Sequence, residues 1–308
     1  MVNTIMAFYV VYLQGFHRMT NSNSLLIAAK GVAMGAADVV PGVSGGTIAL
    51  LTGIYQRLIN AITGVNLQSL KKLLKGDIKG FWQAIDGGFI LPLLIGIGSA
   101  FALLAHPIKY AIANHPIPTW SFFFGLIIAS AILIIQHIPE KRLYSAVLII
   151  PGIIVGYWIG SMTSIPFPSS QSAVFIAGML AICAMILPGI SGSFILVLLG
   201  MYHTLITAVA ERNFSVLLVF MAGAVLGLLV FSRIIKWTLD NFYQATLFFL
   251  SGLMLGSLVK VWPWKLNEMS NIMPFSHAHP QTMFAIGMML LAIILVFVTD
   301  KLGRKYTK

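Results

Sequence analysis

Charge is scarce in this sequence. Only 9% of its 308 residues are Asp, Glu, Lys or Arg, against about 25% in soluble domains. No stretch is both long and polar, which excludes a soluble globular fold. Cysteine is nearly absent: Cys183 stands alone, so no internal disulfide can form. The seven histidines are scattered, and no Cys/His spacing suits a metal, so no metal site and no cofactor is expected. Acids number 8 against 19 bases, a net charge of +11. In a chain this apolar, that excess points to basic loops on the cytoplasmic side and not to nucleic acid. The alternation of apolar and polar residues that marks a transmembrane barrel is also missing.

What is present is oil. Mean hydropathy is +0.93. Apolar runs cover 89–105, 120–135, 144–159, 172–187, 216–231, 246–259 and 284–298. Each is near the roughly 20 residues a helix needs to cross the hydrocarbon. Lipid offers the backbone no hydrogen-bond partner, so the expected fold class is an all-α polytopic membrane protein. Residues 4–16 are apolar but short, with no basic residue ahead of them. They predict an interfacial or partly inserted helix and not a secretory signal.

One segment breaks the pattern and then recurs. "PGVSGGTIALLTGIYQRLINAI" from Pro41 aligns without gaps to "PGISGSFILVLLGMYHTLITAV" from Pro188, an offset of 147 residues. Pro41/Pro188, Gly42/Gly189, Ser44/Ser191, Gly45/Gly192, Gly53/Gly200, Tyr55/Tyr202 and Ile59/Ile206 match. Farther on, at an offset of 127, Gly96/Gly223, Asn114/Asn241, Thr119/Thr246, Gly125/Gly252 and Ser130/Ser257 match. The chain therefore reads as a single membrane domain of two repeats, 24–161 and 172–300. Each opens with a broken helix and continues with three spans. The first repeat carries an insertion, 67–86, whose Leu67, Leu70, Leu74, Ile78, Phe81 and Ile85 oppose Lys71, Lys72, Lys75 and Lys79. That pattern suits an interfacial helix on an anionic cytoplasmic leaflet, or a solvated linker helix.

If each broken segment is a re-entrant hairpin, each repeat has three crossings and the two repeats have inverted topology. With the N-terminus inside, Lys71, Lys72, Lys75, Lys79, Lys141, Arg142, Arg233, Lys236 and the basic C-terminus are cytoplasmic. Lys109, Arg212, Lys260 and Lys265 then lie outside. A spanning segment would move the Lys-rich 71–79 loop outward, so the positive-inside rule prefers the re-entrant reading, with both termini cytoplasmic.

The broken segments have the chemistry of an anion site. Pro41 and Pro188 stop an arriving helix. Ser44 is a good N-cap for a new helix from about Gly45 to Ile62. Gly42, Gly45, Gly46, Gly189 and Gly192 let a ligand approach the backbone, and Ser44, Thr47, Ser191 and Ser193 supply hydroxyls. A helix N-terminus offers unpaired N–H groups and about half a positive charge. Two of them meeting at an inverted repeat would form a phosphate-binding site at membrane depth. Asp38 is the acid deepest in an apolar stretch, and its repeat mate is Met185. Four roles fit it: carrying a coupling proton, binding a cation, pairing with Lys30 or Arg57, or capping local N–H groups. Lys30 and Arg57 also lack basic mates. They either meet a phosphate or snorkel to the cytoplasmic interface.

The sequences "ADVVPGVSGGTIALLTGIY" and "LPGISGSFILVLLGMY" resemble the bacterial polyprenyl-phosphate transporter family, formerly a domain-of-unknown-function family. The resemblance covers essentially the whole chain. It implies a flippase of the cytoplasmic membrane that returns undecaprenyl phosphate for peptidoglycan and other envelope polymers. By motif position it implies that Asp38, Pro41, Gly42, Ser44, Gly45, Gly46 and Thr47 belong to one signature, and Pro188, Gly189, Ser191 and Gly192 to the other. Phe194 stands where the first copy has Thr47, so that hydroxyl is one-sided. The expected partners are the lipid substrate, membrane lipids, and protons or another coupling ion. A homo-oligomer is compatible with the sequence but not specified by it. The competing reading is a secondary transporter or channel for a small soluble anion. An enzyme is not expected, because no buried nucleophile–base pair or carboxylate–histidine cluster is visible.

Overall fold

The computed structural model describes residues 24–40, 42–139, 141–162, 168, 170–267 and 270–305. The expected N-terminal interfacial helix and the proline break at Pro41 lie outside the described residues. Among the described residues the regular structure is helical apart from a two-stranded ribbon, Lys265–Asn267 with Ser270–Asn271. Among the described residues five helices are long and apolar enough to cross a membrane, or six if one sharply bent pair counts as a span.

Helix α1 (Ser24–Val39) arrives at the first break. Two short helices follow, α2 (Gly45–Leu51) and α3 (Tyr55–Thr63). The inserted segment forms α4 (Leu67–Leu74) and α5 (Ile78–Ala84). Then come α6 (Gly87–Asn114), α7 (Pro116–His137), and the pair α8 (Leu143–Ala146) and α9 (Ile149–Ser161), which together make one span. The order repeats with α10 (Gln171–Ile186), α11 (Gly192–Leu198), α12 (Tyr202–Ala210), α13 (Phe214–Asn241), α14 (Tyr243–Gly256) and α15 (Thr282–Lys305). The expected middle span of the second half is short: with the 3₁₀ turn Ser257–Val259, α14 remains below the length of the five long helices.

Packing follows the small residues. Helix α1 lies on α6, and α10 lies on α13. In the first pair a Cβ on Gly31 would sit 3.1 Å from the Gly96 Cα. In the second, Gly178 meets Phe220 and Ala224, and Gly223 meets Phe175. Close backbone approach of this kind is how helices gain dispersion energy where lipid removes the hydrophobic drive. The remaining long helices cross over: α7 packs on α15, and α14 packs on α9. Elements from the two ends of the chain therefore interlock.

Two local expectations need correction. The helix after the first break does not run from Gly45 to Ile62. It stops at Leu51, turns at Gly53 (φ 72°) and restarts at Tyr55. The second copy bends by 107° at the matching place, where Gly200 has φ 66°. The insertion is also not one helix: Gly76 (φ 78°) divides it, and Asp77 caps the second piece through the Gly80 N–H at 2.8 Å. Leu67, Leu70, Leu73, Leu74, Ile78 and Trp82 remain exposed, as an interfacial element requires.

Candidate functional site

The two breaks adopt the same backbone turn. Gly42 and Gly189 both have φ +88°, a conformation that costs an L side chain roughly 1–2 kcal/mol. Glycine is the residue that turns the chain there without strain, and it does so at the matched position of each copy.

The breaks also meet. Ser44 is fully buried, caps α2 by accepting from the Gly46 N–H at 3.1 Å, and has the carbonyls of Met185 and Leu187 within donating distance, 3.2 Å each. Thr47, likewise fully buried, accepts from the Gly189 N–H at 2.9 Å. A Cβ on Gly46 would come within 2.7 Å of the Ile186 carbonyl, and one on Gly45 within 2.5 Å of Asp38 Oδ2. These two glycines let protein pack against protein. The first break is thus sewn to the end of α10.

Asp38 takes the capping role. Its Oδ1 accepts from the Gly45 N–H at 2.6 Å, so the first N–H of the short helix α2 already has a partner. Its expected cationic partners are engaged elsewhere. Lys30 donates to the Thr52 carbonyl at 2.9 Å. Arg57 makes two bonds to Asp86, 2.6 and 3.1 Å, and lies 4.5 Å from the Phe89 ring centre. Neither lines the space between the breaks.

The second break is different. Ser191 sits at the N-cap position of α11, yet its side chain makes no capping bond. Its hydroxyl pairs with that of Ser193 at 2.8 Å. A small, partly open cleft lies here, lined by Gly42, Gly189 and Ser191 of the two breaks, Gly156 and Gly160 of α9, and Phe194, Ser257 and Lys260. The structure therefore brings Gly42, Gly189 and Ser191 to one open space. It places Ser44, Gly45, Gly46 and Thr47 in the closed seam beside it. Among the described residues no His/Cys/Asp/Glu group suits a metal.

Lys260 stands at the cleft, its Nζ 4.3 Å from the Phe194 ring centre. Its loop is held by Lys265, whose Nζ donates to the Lys260 carbonyl at 2.7 Å. The available signal was its position three residues past Ser257, at the end of an apolar run.

The short helices that follow the two breaks are packed unequally. Helix α3 rests against α13 of the other half, tied by Lys236 Nζ donating to Asn60 Oδ1 at 2.8 Å and Arg233 to the Val65 carbonyl at 3.1 Å. Its mate α12 lies against α13 of its own half. Tyr55 and Ile59 are 2% and 0% exposed, while their mates Tyr202 and Ile206 are 44% and 53% exposed. Matched residues are core in one copy and surface in the other.

These features define a polytopic membrane protein with a small cleft where two chain breaks meet inside an apolar body. The chain belongs to the family described as undecaprenyl phosphate translocase-like, whose model matches residues 34–279. It is similar to a protein of Vibrio cholerae serotype O1 named polyprenyl-phosphate transporter, 43% identical over 302 residues, spanning 92% of this chain and 98% of the relative. A Staphylococcus aureus protein of the same name is 35% identical over 252 residues, spanning 76% of this chain and 84% of that one. No solved structure matches the chain.

Proposed function

We propose that this protein is a flippase for polyprenyl phosphate, undecaprenyl phosphate above all, in the bacterial cytoplasmic membrane, and that it is not an enzyme. The phosphate enters the cleft between the two breaks while the prenyl tail stays in lipid. Family membership and two relatives named for this substrate support the reading. The observation that carries the mechanism is the meeting of the breaks, one sewn shut and one open.

The repeats 24–161 and 172–300 have inverted topology in this reading, each opening with a re-entrant hairpin. Support comes from the shared φ +88° turns, the matched α1–α6 and α10–α13 pairs, and the crossed pairs α7–α15 and α9–α14. With both termini cytoplasmic, the cleft at the ends of α9 and α14 faces outward. The seam at Ser44 and Thr47 then closes the inner side. Exchange of the two packing arrangements, with α12 burying Tyr202 and α3 releasing Tyr55, moves the opening across the membrane. Bistable packing of paired elements is the usual basis of such a switch.

Transport of labelled polyprenyl phosphate into proteoliposomes tests this reading. Replacing Ser44 and Ser191 together by alanine is expected to slow flipping. Unchanged binding and flipping in that double variant would remove the breaks as the site. Inhibition by soluble anions, with no response to the lipid, would favour the small-anion transporter.

A further inference from the structure

We infer that the inserted segment, α4 with α5, is a docking surface for the headgroups of anionic phospholipids. It is a second lipid-binding place, separate from the cleft at the breaks and independent of which lipid the protein moves. Its occupant is the membrane surface.

The segment forms its helices from its own residues. Asn66 caps α4 by accepting from the Gln68 and Ser69 N–H groups at 2.9 and 3.0 Å, and the Ser69 hydroxyl accepts from the Asn66 N–H at 2.9 Å. Such a reciprocal cap starts a helix without a neighbouring element to lean on. At helical spacing Leu67, Leu70, Leu73 and Leu74 fall on one arc of α4, with Lys71 and Lys72 on the next. Leu67, Leu74 and Ile78 are 78%, 85% and 68% exposed. Large apolar side chains this bare mark a surface that an apolar phase covers.

The charge beside them selects the headgroup. Residues 67–85 hold four lysines, Lys71, Lys72, Lys75 and Lys79, against one acid, Asp77, a net charge of +3. All four lysines are exposed, and the Asp77 carboxylate accepts from the Gly80 N–H. A basic arc beside an apolar arc suits a helix lying in the headgroup layer. The lysine stems then cross the apolar boundary and their ammonium groups meet lipid phosphates.

Placement decides for lipid over an acidic protein. Trp82 packs on Gly87, the first residue of α6, where a Cβ would run into its ring. Gly64, just past α3, abuts the Ala84 carbonyl in the same way. Asp86, between α5 and α6, takes two bonds from Arg57 of α3, 2.6 and 3.1 Å. The segment is therefore held at the mouth of a helix long enough to cross the membrane, whose Leu91, Leu94 and Ile95 are also exposed. Bare apolar side chains run from the insertion into the start of that span. A lipid surface covers both at once.

The test reads the emission of Trp82 in the full-length protein in nanodiscs, taken as the difference between each protein and its Trp82→Phe counterpart. The probes are brominated phosphatidylglycerol and brominated phosphatidylcholine, each at the same share of an unbrominated phosphatidylcholine bilayer. Bromine quenches tryptophan at contact. The anionic probe is expected to be preferred by at least about fivefold, the worth of one lysine near an anionic surface. Replacing Lys71, Lys72, Lys75 and Lys79 together by glutamine is expected to abolish the preference and leave quenching by phosphatidylcholine unchanged. Arginine at the same four positions is expected to keep it. Salt at about 1 M, where the Debye length is about 3 Å, should weaken it in the wild-type protein. Equal quenching by the two probes in the wild-type protein overturns the inference, as does a preference that survives in the glutamine variant. A Trp82 that neither probe quenches overturns it too, and leaves the face to water or to a protein partner.

Discussion

Asp38 offers the sharpest test of how the first break works. Its Oδ1 lies 2.6 Å from the Gly45 N–H, and its other oxygen packs against the Gly45 Cα, where a Cβ would be 2.5 Å away. Asp38→Asn keeps a carbonyl oxygen at the capping position and removes the charge. Asp38→Ala removes the acceptor and leaves the Gly45 N–H, on a fully buried stretch, without its partner. Leaving such a donor unmade costs about 1–3 kcal/mol. Hydrogen bonds to a charged acceptor are worth about 1.5–3 kcal/mol against about 1 for neutral ones. The asparagine variant is therefore expected within about 1 kcal/mol of wild type and the alanine variant about 2–3 kcal/mol below it. Thermal unfolding of the purified protein orders the three. Transport across an imposed pH gradient then separates structure from coupling. A capping Asp38 predicts that Asp38→Asn flips lipid with an unaltered dependence on the gradient. An asparagine variant that is as stable as wild type yet loses transport would refute the capping role, since the charge itself would then carry the proton or cation.

Two further outcomes follow from the same geometry. Gly42→Ala and Gly189→Ala both force φ +88° on a side chain and are expected to lose about 1–2 kcal/mol each by thermal unfolding. Gly189→Ala should be the worse, because its Cβ would meet the Met254 Cα at 2.8 Å, backbone that cannot swing away, where Gly42 faces the flexible Lys260 stem. For topology, cysteines placed singly at Lys260 and Lys72, in a chain whose Cys183 is alanine, should react differently with a membrane-impermeant maleimide added outside intact cells. Lys260→Cys is expected to label and Lys72→Cys to stay unlabelled until the membrane is opened; the reverse pattern would invert the orientation.

The apolar runs 89–105, 120–135, 144–159, 216–231 and 284–298 all fall within the five helices long and apolar enough to cross a membrane, and 172–187 and 246–259 mark the shorter helices α10 and α14 with its 3₁₀ turn. The paired Pro-Gly-x-Ser-Gly strings located both breaks, because glycine and serine have few reasons to stand in register inside oil. The helix stop at Leu51 was not legible: Leu50, Leu51 and Ile54 continue an apolar pattern, and Gly53 alone marked the turn. Nor was the pairing of Arg57 with Asp86, 29 residues on and beyond an inserted segment.

Local chemistry therefore determined, from sequence alone, that the chain lives in a membrane, where it breaks and which residues are polar there. These follow from hydration cost and backbone sterics, which act over a few residues. Three-dimensional packing decided what those polar groups face. Ser44 and Ser191 occupy matched positions, yet one is locked against the carbonyls of α10 and the other opens on the cleft. Tyr55 and Tyr202 match as well, one buried and one exposed. A near-symmetric sequence cannot choose which copy is buried; only the different packing of α3 and α12 on α13 makes Tyr55 core and Tyr202 surface.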